Sequence, residues 1–136
     1  MKVFIDSNIP MYVAGREHPH RAPARTFLDR VRGREVEGCT STEVLQEVLY
    51  RYSALRRRDL AREVYDLFVE ICPIVFDVTL ADTDRARDLV AEREHLSARD
   101  AVHAAVMLNH GVGWIATFDR GFGQVPGVHR YEFRQA

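Results

Sequence analysis

Short apolar runs alternate along this chain with longer stretches whose apolar residues recur every three or four positions. Lys2–Ile5 is the first such run, and it stops at Asp6-Ser7-Asn8, a cluster suited to a turn or a helix cap. Pro10 fits the first turn of the helix that follows. Ala24, Phe27, Leu28 and Val31 carry a helical period through residues 22–32, and Gly33 and Gly38 punctuate a second short strand at 36–39. Thr40-Ser41-Thr42-Glu43 has capping-box spacing, with Thr40 as cap and Glu43 as its partner. The helix it opens should bury Val44, Leu45, Val48, Leu49 and Tyr52. Another helix runs from about 58 to 71 on a stripe of Leu60, Val64, Leu67, Phe68 and Ile71; Pro73 stops it before a third strand, Ile74–Phe76. Residues 82–94 form a charged amphipathic helix with Ala86, Leu89 and Val90 inside. Ser97-Ala98-Arg99-Asp100 is a second capping box, opening the most apolar helix at 101–109, which Gly111 ends. Trp114–Ala116 is a fourth strand closing at Thr117-Phe118-Asp119, and a glycine-rich loop at 121–127 leads to a last strand at 128–131.

Continuous short apolar strands alternating with helices mean a parallel sheet covered on both faces. The expectation is a single domain over 1–136: a three-layer α/β/α sandwich whose mostly parallel central sheet has four or five strands. Composition agrees, since 46% hydrophobic and 29% charged residues in 136 exclude a disordered or fibrous chain. Lys+Arg is 19 against Asp+Glu 20, a formal net charge of -1, which excludes a polybasic binder that holds nucleic acid by bulk charge. A local basic patch remains open. Lys2 is the only lysine; arginine suits bidentate phosphate contacts, but GC-rich coding produces the same bias without function. The N-terminus reads as no signal peptide, and the apolar run 101–108 is too short to span a bilayer, so no membrane association and a cytoplasmic location are expected. Cys39 and Cys72 lie far apart without CxxC spacing and read as buried free thiols.

In an open parallel sheet the ligand site lies beyond the carboxyl ends of the strands. Asp6 ends the first strand and Asp119 follows the fourth. Glu43 and Glu47, four apart and so on one helix face, start from the same edge. Asp100 opens the helix that feeds the fourth strand. Singly, each acid has an ordinary reading as a cap, a turn or a solvated helix residue. Together at one edge they would repel and raise each other's pKa values unless a cation is present. Clustered hard oxygens select Mg²⁺ or Mn²⁺ over zinc, and such ions activate water for attack on a phosphodiester.

Val-Phe-Ile-Asp6-Ser-Asn, Ser41-Thr-Glu-Val-Leu-Gln-Glu47, Leu96-Ser-Ala-Arg-Asp100-Ala-Val-His-Ala-Ala and Thr117-Phe-Asp119-Arg-Gly-Phe, in that order, together resemble a PIN-domain ribonuclease. The nearest subgroup is the VapC-type toxins of type II toxin–antitoxin systems. The resemblance places the acidic quartet on Asp6, Glu47, Asp100 and Asp119, as catalytic and metal-binding residues. It leaves Glu43 an accessory position and gives Ser7, Asn8 and Thr117 supporting oxygens. It implies Mg²⁺- or Mn²⁺-dependent cleavage of RNA, restraint by a cognate antitoxin protein, and a homodimer. RNA must meet positive charge near so acidic a pocket. Arg51, Arg56, Arg57, Arg58 and Arg62, beside Tyr50 and Tyr52, form the densest basic-aromatic stretch, which reads equally as a solvated helix junction; Arg99 and Arg120 flank two of the acids.

Other readings are weaker. A PIN-domain RNA-processing nuclease that is not a toxin would share every motif, and a binding module keeping only the fold makes an intact quartet uneconomical. A phosphatase of the haloacid-dehalogenase type wants a second Asp where Asn8 stands, and a phosphotransfer receiver wants a late lysine that is absent. His18 and His20 read as exposed loop residues, and His103, one turn after Asp100, as a packed helix histidine or a contact of the site. The apolar faces at Met11-Tyr12-Val13 and residues 64–68 read as core, with an antitoxin groove or dimer contact as the other use.

Overall fold

The computed structural model describes residues 1–133, so the last three positions of the expected domain span lie outside the described residues. The elements are β1 (Lys2–Ile5), α1 (Asn8–Ala14), α2 (Arg21–Arg32), β2 (Glu37–Ser41), α3 (Thr42–Ala54), α4 (Arg58–Ile71), β3 (Ile74–Phe76), α5 (Leu80–Glu92), α6 (Ala98–Asn109), β4 (Trp114–Ala116) and β5 (His129–Arg130). The five strands form one sheet in the order β3-β2-β1-β4-β5, and every neighbouring pair is parallel. This is the expected α/β/α sandwich, with each of the first three crossovers made by a pair of helices rather than one.

Burial on both faces explains the continuous apolar strands: Val3, Phe4, Ile5, Ile115 and Ala116 are fully buried. Phe4 stands between Cys39 of β2 and Ile115 of β4 in the ladder. The chain leaves β1 towards β2 and β3, then returns to β4 on the other side, so the direction of winding reverses between β1 and β4. Beyond the carboxyl ends of two such strands a crevice opens, because the connections depart in opposite directions.

Two glycines carry structural demands. A Cβ on Gly38 would lie 2.8 Å from Val31 Cγ1 and 3.0 Å from Ile5 Cδ1, so α2 packs against β2 only because that carbon is missing. Gly111, at φ 69°, ends α6 in a Schellman arrangement in which Val112 N–H bonds Met107 O and Gly111 N–H bonds Leu108 O.

Several local expectations are corrected. Ser41, not Thr40, caps α3, accepting from Val44 N–H at 3.3 Å. Thr40 is the buried penultimate residue of β2 and donates to Ile5 O at 3.0 Å, so Glu43 is not its capping partner. The α5 helix begins at Leu80 because Thr79 and Asp82 form a reciprocal capping box. Leu49 and Val90, expected inside, are 42% and 41% exposed. The glycine-rich stretch winds into one 3₁₀ turn, Arg120–Gln124, capped by Asp119, and the last strand shrinks to His129–Arg130. Met11, Tyr12 and Val13 are half-buried, while Val64 and Phe68 are core. Cys39 and Cys72 are free and buried, and burial pushes both thiols up to about 12. Among the described residues no helix is long and apolar enough to cross a membrane.

Candidate active site

The ladder itself fixes the first acid: Asp6 N–H bonds Ala116 O at 3.0 Å, extending the β1–β4 pairing one residue past the strand. The Asp6 carboxylate is buried, with Oδ1 accepting from Ser7 N–H at 2.7 Å and Oδ2 from the Thr117 hydroxyl at 2.7 Å. Thr117 Oγ also accepts from Asn8 Nδ2 at 3.2 Å and from Asp119 N–H at 3.0 Å, which uses its full bonding capacity. Phe118 N–H donates to Asn8 Oδ1 at 3.4 Å. One hydroxyl thus ties the ends of β1 and β4 and sets the backbone that presents Asp119. Asn8 serves as this bridge where a phosphatase would need a second carboxylate.

Glu47 lies on α3, which starts at the same edge because β2 ends there. Its Oε2 accepts from the Ser7 hydroxyl at 2.9 Å, and its Oε1 is 2.6 Å from His103 Nε2. The same imidazole nitrogen is 3.9 Å from Asp6 Oδ1. Asp6, Glu47 and His103 each offer a ligand atom, and the three lie within 4.8 Å of one another. Asp100, in the first turn of α6, has its N–H held by Ser97 Oγ at 3.1 Å; the returning arm of that expected box is not among the described hydrogen bonds. Its side chain lies beside Asp119: Asp119 Oδ1 and Asp100 Oδ2 both border Gly121. Asp119 Oδ1 in turn accepts from Gly121 N–H at 2.9 Å.

Electrostatics record the crowding. Burial holds the Asp6 carboxyl above its ordinary range, against the pull of His103 and the Thr117 hydroxyl. Burial, then Asp119 beside it, push Asp100 up to about 7, while Asp100 in turn draws Asp119 down. Burial opposes charge on His103, but Glu47, Asp6 and Asp100 outweigh it and shift the imidazole upward. Crowded hard-oxygen donors, with Asp6 and Glu47 buried and Asp100 half-buried, fit a divalent cation, whose charge would offset their mutual repulsion.

All four sequence-derived acids meet at this edge, with Ser7, Asn8 and Thr117 among them. Glu43 stands one turn before Glu47, half-buried, with no hydrogen bond or ion pair to the four among the described residues. Arg51, in the last turn of α3 and four residues after Glu47, and the four arginines at 56, 57, 58 and 62, around the α3–α4 turn, are exposed. Arg57 pairs there with Asp59 at 3.1 Å and Arg62 with Asp66 at 3.9 Å. Arg99, whose Nε is 3.9 Å from Glu47 Oε1, is the arginine the fold brings nearest, and Arg120 follows Asp119 on the surface. Sequence reasoning missed Arg130, whose guanidinium bonds Thr117 O at 3.4 Å and helps hold Asp119 low. For His103, one turn after Asp100, the sequence left both a packed helix histidine and contact with the site open; the ring is buried and 2.6 Å from Glu47. His20, expected in an exposed loop, stacks on Phe118 with ring centroids 4.0 Å apart.

The PIN domain family model matches residues 3–128. Ribonuclease VapC13 of Mycobacterium tuberculosis (strain ATCC 25618 / H37Rv) is 38% identical over 128 residues, covering 94% of this chain and 98% of the relative. Ribonuclease VapC23 of the same strain is 38% identical over 120 residues, covering 86% and 92%. The crystal structure of VapBC2 from Rickettsia felis bound to a DNA fragment from their promoter superposes with a TM-score of 0.76 at 18% identity, over 98% of this chain and 100% of that one. The acid-lined switch point of a parallel α/β sandwich is here that of a PIN-type nuclease. The chain belongs to the PIN-domain family and, within it, groups with the VapC ribonucleases.

Proposed function

We propose that this protein is the toxin of a type II toxin–antitoxin pair, an endoribonuclease that hydrolyses RNA phosphodiesters with Mg²⁺ or Mn²⁺ at the Asp6, Glu47, Asp100 and Asp119 site. The observation that carries this reading is the convergence of Asp6, Glu47, Asp100 and Asp119 at the β1/β4 switch point, with Asp6 and Glu47 buried beside His103. Asp6, Glu47 and Asp100 are the ligands, and Asp119 completes the set or orients water. The bound cation supplies charge neutralisation and acidification of water for in-line attack. Thr117 and Ser7 hold the Asp6 and Glu47 carboxylates in place, and Asn8 fixes Thr117. Arg99 and Arg120 offer charge to the phosphates beside the acids, with Arg51, Arg56, Arg57, Arg58 and Arg62 a second surface for the strand. The cognate antitoxin masks this site in the cytoplasm, and the toxin is a homodimer.

The test uses purified protein and RNA. Cleavage should vanish in EDTA and return with Mg²⁺ or Mn²⁺. Asp6→Asn should abolish it while the circular dichroism spectrum and melting temperature stay those of a folded protein. Expression of the wild type, not of Asp6→Asn, should arrest growth, and co-expression of the neighbouring small reading frame should relieve the arrest. EDTA-resistant cleavage would refute the metal mechanism.

A further inference from the structure

Carboxylates alone suffice for a hard-cation site, yet a fully buried histidine stands among them. His103 lies three residues after Asp100, so α6 delivers both side chains to the same edge. Its ring is flanked by Phe4 and Phe122, with centroids 5.8 and 6.4 Å away. Its Nε2 is 2.6 Å from Glu47 Oε1, and its Nδ1 is buried without a hydrogen-bond partner among the described residues.

We propose that His103 is a positioning residue: its Nε2–H donates to Glu47 Oε1 and fixes the glutamate carboxylate in the orientation that the cation requires. This inference rests on the metal-dependent reading above. A neutral imidazole carries one N–H and one lone pair. With the proton on Nδ1, a donor would be buried unpaired and the Nε2 lone pair would face a carboxylate oxygen at 2.6 Å. With the proton on Nε2 the short contact is a charge-assisted hydrogen bond, and only an acceptor is left without a partner. Glu47 needs such a hold because its long side chain has rotamer freedom to lose. Ser7, just past β1, grips Oε2 and His103, on α6, grips Oε1, so two separate elements clamp one carboxylate. Each oxygen keeps a lone pair for a cation. Arg99 reaches the same Oε1 only at 3.9 Å from a side chain that is 64% exposed, so it cannot set the orientation.

The discriminating experiment is calorimetric titration of the full chain with Mn²⁺ alone, run on wild type, His103→Leu, His103→Gln and Asp6→Asn, each checked by its melting temperature. Gln can present an amide N–H near the Nε2 position; Leu keeps the bulk and removes the donor. Hydrogen-bond donors that orient a metal-ligating carboxylate carry about 10–100-fold in metal affinity. His103→Leu should lose about that much, and His103→Gln should recover most of it. In RNA cleavage the Leu variant should lower kcat with little change in KM. Folded His103→Leu with wild-type Mn²⁺ affinity, or folded His103→Gln as weak as the Leu variant, would overturn the assignment. Retained binding in Asp6→Asn would overturn the metal-dependent reading itself; loss there with no effect at His103 overturns only this inference. If His103→Leu does not fold, ¹⁵N NMR of Mg²⁺-loaded wild type decides. Nε2 must carry a proton; an unprotonated Nε2, as in direct coordination of the cation, refutes the proposal.

Discussion

Burial, and Asp119 beside it, push the Asp100 carboxyl up and make the metal-free protein a proton sink near neutral pH. An unfolded aspartate titrates near 3.9, whereas Asp100 is pushed up to about 7. Between about 4 and about 7 the folded state holds more protons than the unfolded state, so stability falls as pH rises through that window. Asp6 and His103, both shifted upward, act in the same direction. The lowered Asp119 acts oppositely, but below the unfolded value and so outside the window. In EDTA the melting temperature should therefore be lower at pH 8 than at pH 5, and Asp100→Asn should flatten the difference. Mg²⁺ should raise the pH 8 value by binding only the folded state. Residue contacts also rank the glutamates: Glu47→Gln should cost far more cleavage than Glu43→Gln, since Glu47 is clamped among the acids and Glu43 is not. The reverse order in kcat would mean that the wrong glutamate has been assigned to the quartet. By the same logic Arg99→Ala should raise KM for RNA more than Arg57→Ala, because Arg57 already pairs with Asp59 away from the site.

At the scale of elements, periodicity carried most of the fold. Helix α4 and strands β1, β3 and β4 have the bounds their apolar stripes dictated: most of β1 and α4 lies in the core, β3 packs half-buried against it, and β4 buries Ile115 and Ala116. Errors gathered where polar residues choose between neighbouring backbones. Thr40 and Ser41 can each cap a helix; sheet pairing drew Thr40 into β2, where its hydroxyl reaches Ile5 O, and left Ser41 to cap. Leu49 and Val90 follow the period yet face outward, since a stripe does not reveal how wide the neighbouring element is. Gly38 shows packing that spacing cannot express. Gly38→Ala should destabilise the protein by about 1–3 kcal/mol in urea unfolding, as overpacking does, because the stiff, buried Val31 side chain blocks the new methyl.

Across the whole molecule, 19 basic and 20 acidic residues balance in sum but not in place. Acids gather at one sheet edge, while one arginine group rims that edge and another surrounds the α3–α4 turn. Salt distinguishes which group holds RNA. Each phosphate contact to a single strand contributes about 0.7 to the logarithmic salt slope. If Arg99, Arg120 and Arg130 alone engage, raising salt from about 50 to 200 mM should weaken RNA binding by Asp6→Asn about twenty-fold. If the five arginines from Arg51 to Arg62 join, the loss becomes about a thousand-fold or more by the same rule. The smaller loss is expected, because Arg99 pairs with Glu47 and Arg130 bonds Thr117 O at the site, while Arg57 and Arg62 are paired with Asp59 and Asp66.

By itself the sequence determined the parallel α/β architecture and the four acids, because strand ends and helix starts alternate along the chain and an acid at a strand's end can project only into the crevice beyond it. It also carried the family resemblance, since those acids sit in ordered blocks. Tertiary structure alone decided what lies between the acids. Thr117 completing Asp6, Ser7 and His103 clamping Glu47, and Asp119 beside Asp100 join residues 19 to 111 positions apart. Hydrogen bonds a few ångströms long depend on the packing of whole elements, and no periodicity in the chain encodes that.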